Sequence, residues 1–209
     1  ENNYMKILVT GCAGFIGFHI TKKLLSMKYE VFGIDNLNNY YDIKLKKIRL
    51  KELYTLGKKF TFKKIDISKH EPLEKIFKKN KFSYVINLAA QAGVRTSIQD
   101  PRPYIESNVV GFFNLLELSR KFKIKHLLFA STSSVYGNNN TFPSKENFNT
   151  DEPLSFYAAT KKSNEIMAFS YSHIYKLPCT ALRFFTVYGP LGRPDMAIYK
   201  FTDNIANGR

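Results

Sequence analysis

The stretch MKILVTGCAGFIGFHITKKLL, residues Met5 to Leu25, decides the fold. A short apolar run, Ile7-Leu8-Val9, stops at Thr10. Glycines follow at Gly11, Gly14 and Gly17, and apolar residues then return at helical spacing in Phe15, Ile16, Ile20, Leu24 and Leu25. The pattern reads as strand, tight turn and helix. Gly11 permits a turn that a side chain would obstruct, Gly14 lets a pyrophosphate approach the backbone, and Gly17 lets the helix sit close on the strand. The helix N-terminus adds free N–H groups and a partial positive charge.

The spacing is G-x-x-G-x-x-G, not the G-x-G-x-x-G of the dehydrogenase fingerprint, and a strand–helix turn with packing glycines would carry the same triplet. The next strand separates the readings. Glu30–Asp35 (EVFGID) is apolar and ends in an acid 24 positions after Gly11. A carboxylate there suits the 2′-hydroxyl of an adenosine ribose and repels a 2′-phosphate, so NAD is favoured over NADP.

The chain has 209 residues, enough to bury a good core in one domain or slightly more. Lys+Arg 32 against Asp+Glu 17 gives a formal charge of +15, which raises nucleic acid as a partner. The lysines, however, are dispersed over expected helix faces (Lys22, Lys23, Lys44, Lys46, Lys47, Lys78, Lys79), not gathered in one motif. A basic surface that draws in an anionic nucleotide explains the charge more economically, so no nucleic-acid partner is expected. Cys12 and Cys179 give no disulfide framework, and they form no metal-ligand pattern with the four histidines. With no signal peptide and no membrane-spanning stretch in view, a soluble cytoplasmic protein is the default expectation.

Further strands are expected at Phe60–Ile65, Tyr84–Ala90, His126–Ala130 and Cys179–Phe185. After the polar aromatic stretch Asn36–Asp42, helices are expected to about Leu56, and over Pro72–Lys79, Pro103–Lys121 and Ser155–Tyr175. This alternation argues α/β architecture: a Rossmann-like, doubly wound parallel sheet with flanking helices. Ligands in such sheets bind beyond the carboxyl ends of the strands. The glycine turn, Asp35, Ala89-Ala90 and the Ser131–Ser134 cluster all fall at that edge. Asp66, just past the third strand, could meet an adenine or simply cap a helix.

Tyr157-Ala158-Ala159-Thr160-Lys161 places a phenol and an ammonium at i and i+4 on one helix face. A tyrosine ionises near 10 (about 10 in reference peptides), too high for a base at neutral pH. A nearby ammonium and a positive nicotinamide would lower that value.

With these residues the chain resembles the extended short-chain dehydrogenase/reductase family, and within it the nucleotide-sugar epimerases that act on UDP-glucuronate. The segments that carry the resemblance are GIDNLNNYYD (Gly33–Asp42), AAQAGVR (Ala89–Arg95), STSSVYG (Ser131–Gly137), YAATK (Tyr157–Lys161) and RFFTVYGPLGRPDMA (Arg183–Ala197). It implies an NAD site built from Gly11, Gly14, Phe15, Ile16, Gly17, Asp35, Asn36, Asp66, Ile67, Leu88, Ala89, Ala90, Tyr157 and Lys161. It further implies Tyr157 as the base for the sugar 4-hydroxyl, with C4 passing a hydride to NAD. Lys161 would tune Tyr157 and hold the nicotinamide ribose, and Thr132 would bond the same 4-oxygen. The 4-keto sugar would turn over in the site and take the hydride back on its other face.

By the same resemblance Ser133, Ser134, Thr186 and Arg193 surround the sugar carboxylate, with Arg95 a weaker candidate. Related dehydratases carry Thr-Asp-Glu, and related decarboxylases Thr-Ser-Glu, where this chain has Thr132-Ser133-Ser134. The acid/base pair for elimination is thus missing. The resemblance also implies a homodimer through the two long helices. It implies a cofactor domain over 5–185 and a substrate portion that begins at 186 and is mostly absent from this sequence, including the uridine diphosphate site. The rival readings are a 4-epimerase for a neutral or N-acetylated UDP-sugar and a non-catalytic NAD-binding module.

Overall fold

A computed structural model describes residues 5–139 and 141–209. Six parallel strands form one sheet: β1 Lys6–Thr10, β2 Glu30–Asp35, β3 Phe60–Lys64, β4 Phe82–Asn87, β5 His126–Thr132 and β6 Cys179–Phe184. Their order is β3-β2-β1-β4-β5-β6, so the chain reverses its winding direction between β1 and β4. The doubly wound parallel sheet expected from the alternation is the fold of this protein.

Both faces of the sheet are covered, which is why β1 is apolar at consecutive positions. Ile7 and Val9 pack on one side with Phe18, Leu25, Leu50 and Leu53, beneath helices α1 (Phe15–Ser26) and α2 (Ile43–Thr55). Leu8 points the other way, into a second cluster with Leu73, Phe77, Phe112 and Leu115. That cluster lies under α3 (His70–Lys79), α6 (Gly111–Lys121) and α7 (Phe156–Tyr175). The period-two alternation of a strand sends neighbouring residues to opposite cores.

Several boundaries differ from the sequence reading. β4 stops at Asn87 because the Thr10 side chain takes over the pairing: Thr10 Oγ1 donates to Asn87 Oδ1 at 2.6 Å and accepts from the Ala89 amide at 3.1 Å. Leu88, Ala89 and Ala90 therefore lie in the loop beyond the strand. Two short helices, α4 (Val94–Gln99) and α5 (Arg102–Tyr104), follow that loop, and α8 (Ala197–Ala206) lies near the end with no buried residue. Between α5 and α6, Ile105–Val110 winds as a π segment. Ser155 caps α7 by accepting from the Ala158 amide at 3.1 Å, satisfying a donor that a helix start leaves free.

The lysine-rich α2 corrects one expectation. Lys46 is buried, and so is Arg49, whereas Ile48 and Tyr54 on the same helix are more than half exposed. The buried cations are compensated by the Asn38 amide oxygen and the Tyr41 hydroxyl just before the helix, by backbone carbonyls of distant segments and by the Asp35 carboxylate, not by solvent.

Candidate active site

A cavity of about 440 Å³ opens at the carboxyl ends of the strands, over the reversal between β1 and β4. Gly11 has φ +69°, and a Cβ there would come within 2.7 Å of the Ala89 amide nitrogen. A Cβ on Gly17 would collide with the Gly11 carbonyl. The turn therefore needs glycine at both positions for backbone-to-backbone contact. Gly14 caps α1 with no side chain over the helix end, so the first amides of α1 face the cavity uncapped. Gly11, Gly14, Phe15, Ile16 and Gly17 all line it.

Asp35, at the end of β2, is held firmly. Its Oδ2 accepts from the Ala13 amide at 3.2 Å, and its Oδ1 accepts from the Leu37 amide at 2.8 Å. Lys46 Nζ lies 3.9 Å from Oδ1 and donates to Asn38 Oδ1 at 2.7 Å. Burial pulls the Lys46 pKa down more strongly than Asp35 raises it. An acid and a buried cation thus share the end of β2. We predict that the protein takes NAD in preference to NADP, and that Asp35→Asn narrows the gap by roughly tenfold or more, the charge of Lys46 no longer being opposed. Fluorescence titration with both dinucleotides checks this.

Asp66 is no helix cap, since α3 begins after Lys69. Its carboxylate instead accepts from Asn36 Nδ2 at 2.9 Å and from the Ser68 amide at 2.9 Å. Burial pushes its pKa up, and these hydrogen bonds outweigh it, leaving the carboxylate below its ordinary range. Asn36, Asp66 and Ile67 form the cavity wall beyond Asp35, and Leu88, Ala89 and Ala90 line it on the β4 side.

At the other end, Thr132 closes β5 and its hydroxyl accepts from the Ser134 amide at 3.1 Å. Tyr157 and Lys161 come off the first turns of α7, and together with Thr132, Ser133 and Ser134 they line the cavity. The Tyr157 ring meets buried Tyr104 edge to face at 6.2 Å between centroids, and the Tyr157 amide donates to Ser97 Oγ at 3.1 Å. Burial raises the Tyr157 pKa, and the Thr132 hydroxyl and the Arg193 charge lower it in part. Lys161 is not among these influences.

Lys161 itself is 1% exposed, and its ammonium makes no hydrogen bond to any described residue. Burial brings its pKa down to about 8, against the raising effect of Glu165. Glu165 is in turn spoken for: Ser131 Oγ donates to it at 2.5 Å, and Arg183 grips it through Nε at 3.0 Å and Nη2 at 2.8 Å. An ammonium in this state wants an oxygen-rich ligand in the cavity.

Arg193 and Thr186 also line the cavity. Arg193 donates to Asp195 through Nε at 3.0 Å and Nη2 at 2.6 Å, and its guanidinium lies over the Tyr40 ring at 5.5 Å. Arg95 is exposed on α4 and does not line the cavity, so the structure does not bring it to the other candidates.

Sequence reading missed Asn108, which sits in the π segment. Its side chain accepts from the Gln91 amide at 2.8 Å and donates to the Gln91 carbonyl at 3.0 Å and to Thr160 Oγ1 at 3.1 Å. Its own carbonyl accepts from Asn164 at 2.6 Å. This one residue ties the β4 loop to the turn of α7 between Tyr157 and Lys161. The wide turn is what lets its carbonyl serve α7, a use to which π bulges are often put. Local sequence patterns carry no mark of it.

A glycine-lined crevice at a winding reversal, with a phenol and a buried ammonium lining the same cavity, defines a dinucleotide-binding α/β protein of the short-chain dehydrogenase/reductase type. Sequence comparison agrees: the chain belongs to the GDP-mannose 4,6 dehydratase family, whose profile matches residues 8–209. It is 57% identical to Protein CapI of Staphylococcus aureus over 97% of this chain and 60% of that protein. It is 48% identical to a probable UDP-glucuronate 4-epimerase of Rhizobium meliloti over 98% of this chain and 60% of that protein. Among solved structures it is similar to UDP-glucuronic acid 4-epimerase from Bacillus cereus in complex with UDP-glucuronic acid and NAD. The TM-score there is 0.90 at 38% identity, covering 98% of this chain and 64% of the other. The chain thus spans less than two thirds of the length of these proteins.

Proposed function

We propose that this chain is the cofactor-binding part of an NAD-dependent epimerase that interconverts UDP-glucuronate and UDP-galacturonate. The observation that carries this is the joint placement of Thr132, Tyr157, Lys161 and Arg193 around one cavity with the glycine turn and Asp35. Its relatives named for that reaction support it. The glycine cradle, the free amides of α1 and the unbonded Lys161 ammonium fit a dinucleotide. When bound, NAD supplies a hydride acceptor for the first half of the reaction and the donor for the second.

The chain's own residues do the rest. Tyr157 takes the proton of the sugar 4-hydroxyl and returns it after the sugar has turned. Thr132 holds the 4-oxygen and polarises Tyr157. Lys161, already desolvated in the protein, binds ribose hydroxyls and stabilises the phenolate when cofactor and substrate are in place. A 4-keto sugar with a carboxylate on C5 is a β-keto acid and readily loses CO₂. Ser133, Ser134, Thr186 and Arg193 hold that carboxylate by hydrogen bonds. Neither Ser133 nor Ser134 has a carboxyl group for acid/base work, so neither dehydration nor assisted decarboxylation follows from this site.

The test is direct. The full-length protein with UDP-glucuronate, followed by proton NMR, is expected to yield UDP-galacturonate towards equilibrium with no accumulation of NADH. Arg193→Ala is expected to lower turnover of UDP-glucuronate by roughly tenfold or more, since an arginine–carboxylate pair is bidentate and charged. Faster turnover of UDP-galactose than of UDP-glucuronate, with Arg193→Ala harmless, would move the assignment to a neutral sugar.

The proposal includes a boundary between cofactor and substrate portions at residues 185 and 186, just beyond β6. A homodimer is also part of the proposal. Phe113 on α6 and Ile166 and Phe169 on α7 are exposed, Phe169 by 76%, and two long helices with such faces suit pairing with a second copy. Phe169→Glu in the full-length protein is expected to sediment as a monomer; an unchanged dimer would place the interface elsewhere.

A further inference from the structure

Arg49 is fully buried in α2, and the chemistry above makes no use of it. Its guanidinium is bonded almost wholly to backbone. Nη1 donates to the Ala13 carbonyl in the glycine turn at 2.9 Å and to the Tyr41 hydroxyl at 2.6 Å. Nε and Nη2 donate to the Leu191 carbonyl at 3.1 and 2.6 Å, and Nη2 also reaches the Gly192 carbonyl at 3.4 Å. The loop on its far side is shaped to receive it: Leu191 is left-handed at φ +55° and Gly189 stands at φ +151°. His19 on α1 bonds the neighbouring Pro190 carbonyl at 2.9 Å. The residue that follows this anchored loop is Arg193, whose Nε edge is occupied by Asp195. Its Nη1 makes no hydrogen bond to any described residue, so that edge of the fork is left for a second carboxylate.

We propose that Arg49 is a positioning residue for substrate selection. By fixing the Leu191 and Gly192 carbonyls against the glycine turn, it sets where Arg193 presents its guanidinium. The proposal rests on reading Arg193 as the group that takes the carboxylate of UDP-glucuronate. A lysine at 49 could not replace the fork, because a single ammonium cannot bond Ala13, Leu191 and Gly192 together.

The experiment is a double-mutant cycle with Arg49→Lys and Arg193→Ala in the full-length protein saturated with NAD. Dissociation constants for UDP-glucuronate and UDP-glucose are measured by calorimetry. Arg49→Lys is expected to weaken UDP-glucuronate roughly tenfold, leave UDP-glucose within about twofold, and add nothing further once Arg193 is alanine. Equal losses for both sugars, or additive losses for UDP-glucuronate, would show a merely structural residue and overturn the proposal. If Arg193→Ala alone changes neither affinity, the carboxylate reading itself fails, an outcome distinct from additivity. Hydrogen exchange on the unsubstituted protein covers a variant that does not fold. The Gly189, Leu191 and Gly192 amides, which do not line the main cavity, are expected to gain protection together with Gly11–Gly17 when NAD is added. No change at 189–192 would likewise overturn the proposal.

Discussion

Replacing Tyr157 by phenylalanine in the full-length protein is expected to lower kcat for UDP-glucuronate by roughly 10²–10⁴-fold, the range for loss of a general acid–base group. NAD binding and thermal stability should stay close to those of the unsubstituted protein. The reason lies in what the phenol touches. Its ring packs on Tyr104 and its backbone amide is held by Ser97, and phenylalanine keeps both contacts. Only the hydroxyl is lost, together with the influence of Thr132 upon it. Burial raises the Tyr157 pKa in the protein without cofactor, and Thr132 and Arg193 offset this only in part. At neutral pH the residue therefore rests as a phenol, and activity is expected to climb with pH on the alkaline side. Steady-state kinetics over that range check both points. Unchanged turnover in Tyr157→Phe would revive a non-catalytic NAD-binding module.

Lys161→Met is expected to abolish turnover and, in the cofactor-stripped protein at neutral pH, to raise stability. The ammonium is buried and its pKa falls from 10.5 to about 8. At about 1.4 kcal/mol per pKa unit, its charge costs on the order of 3 kcal/mol while it remains protonated. Because the folded pKa lies below the unfolded one, the unfolded chain binds more protons between about pH 8 and pH 10.5. Stability of the unsubstituted protein therefore rises through that window, as the cost fades. Methionine fills a similar volume without charge and should show no such rise. Urea denaturation of both proteins at neutral and alkaline pH measures the difference. Added NAD should stabilise the lysine protein more than the methionine protein, because a ligand that binds only the folded state stabilises it in proportion to its affinity. An equally pH-independent stability in both would show that Lys161 is better solvated than its burial implies.

How far the molecule could be read without its structure depends on the range of the interactions concerned. The sequence by itself determined the parallel doubly wound sheet, since apolar period and glycine spacing are local properties of strand, turn and helix. It also determined most of the cavity wall, because such sheets place their ligand edge at the strand ends, where the glycine turn, Asp35, Leu88–Ala90, Thr132 and Tyr157 all lie. Tertiary structure decided what depends on partners far along the chain. A lysine-rich helix looks solvated from its composition. The burial of Lys46 and Arg49 depends on partners outside the helix, among them Asp35, the Ala13 carbonyl and the Leu191 carbonyl, the last of these 142 residues away from Arg49. Asn108 became visible only once the π segment faced α7, and Arg95 dropped out because α4 turns it to solvent. The same holds for the ionisation of Tyr157 and Lys161: their i, i+4 spacing puts them on one helix face, but burial sets their protonation, and burial is a property of the packed molecule alone.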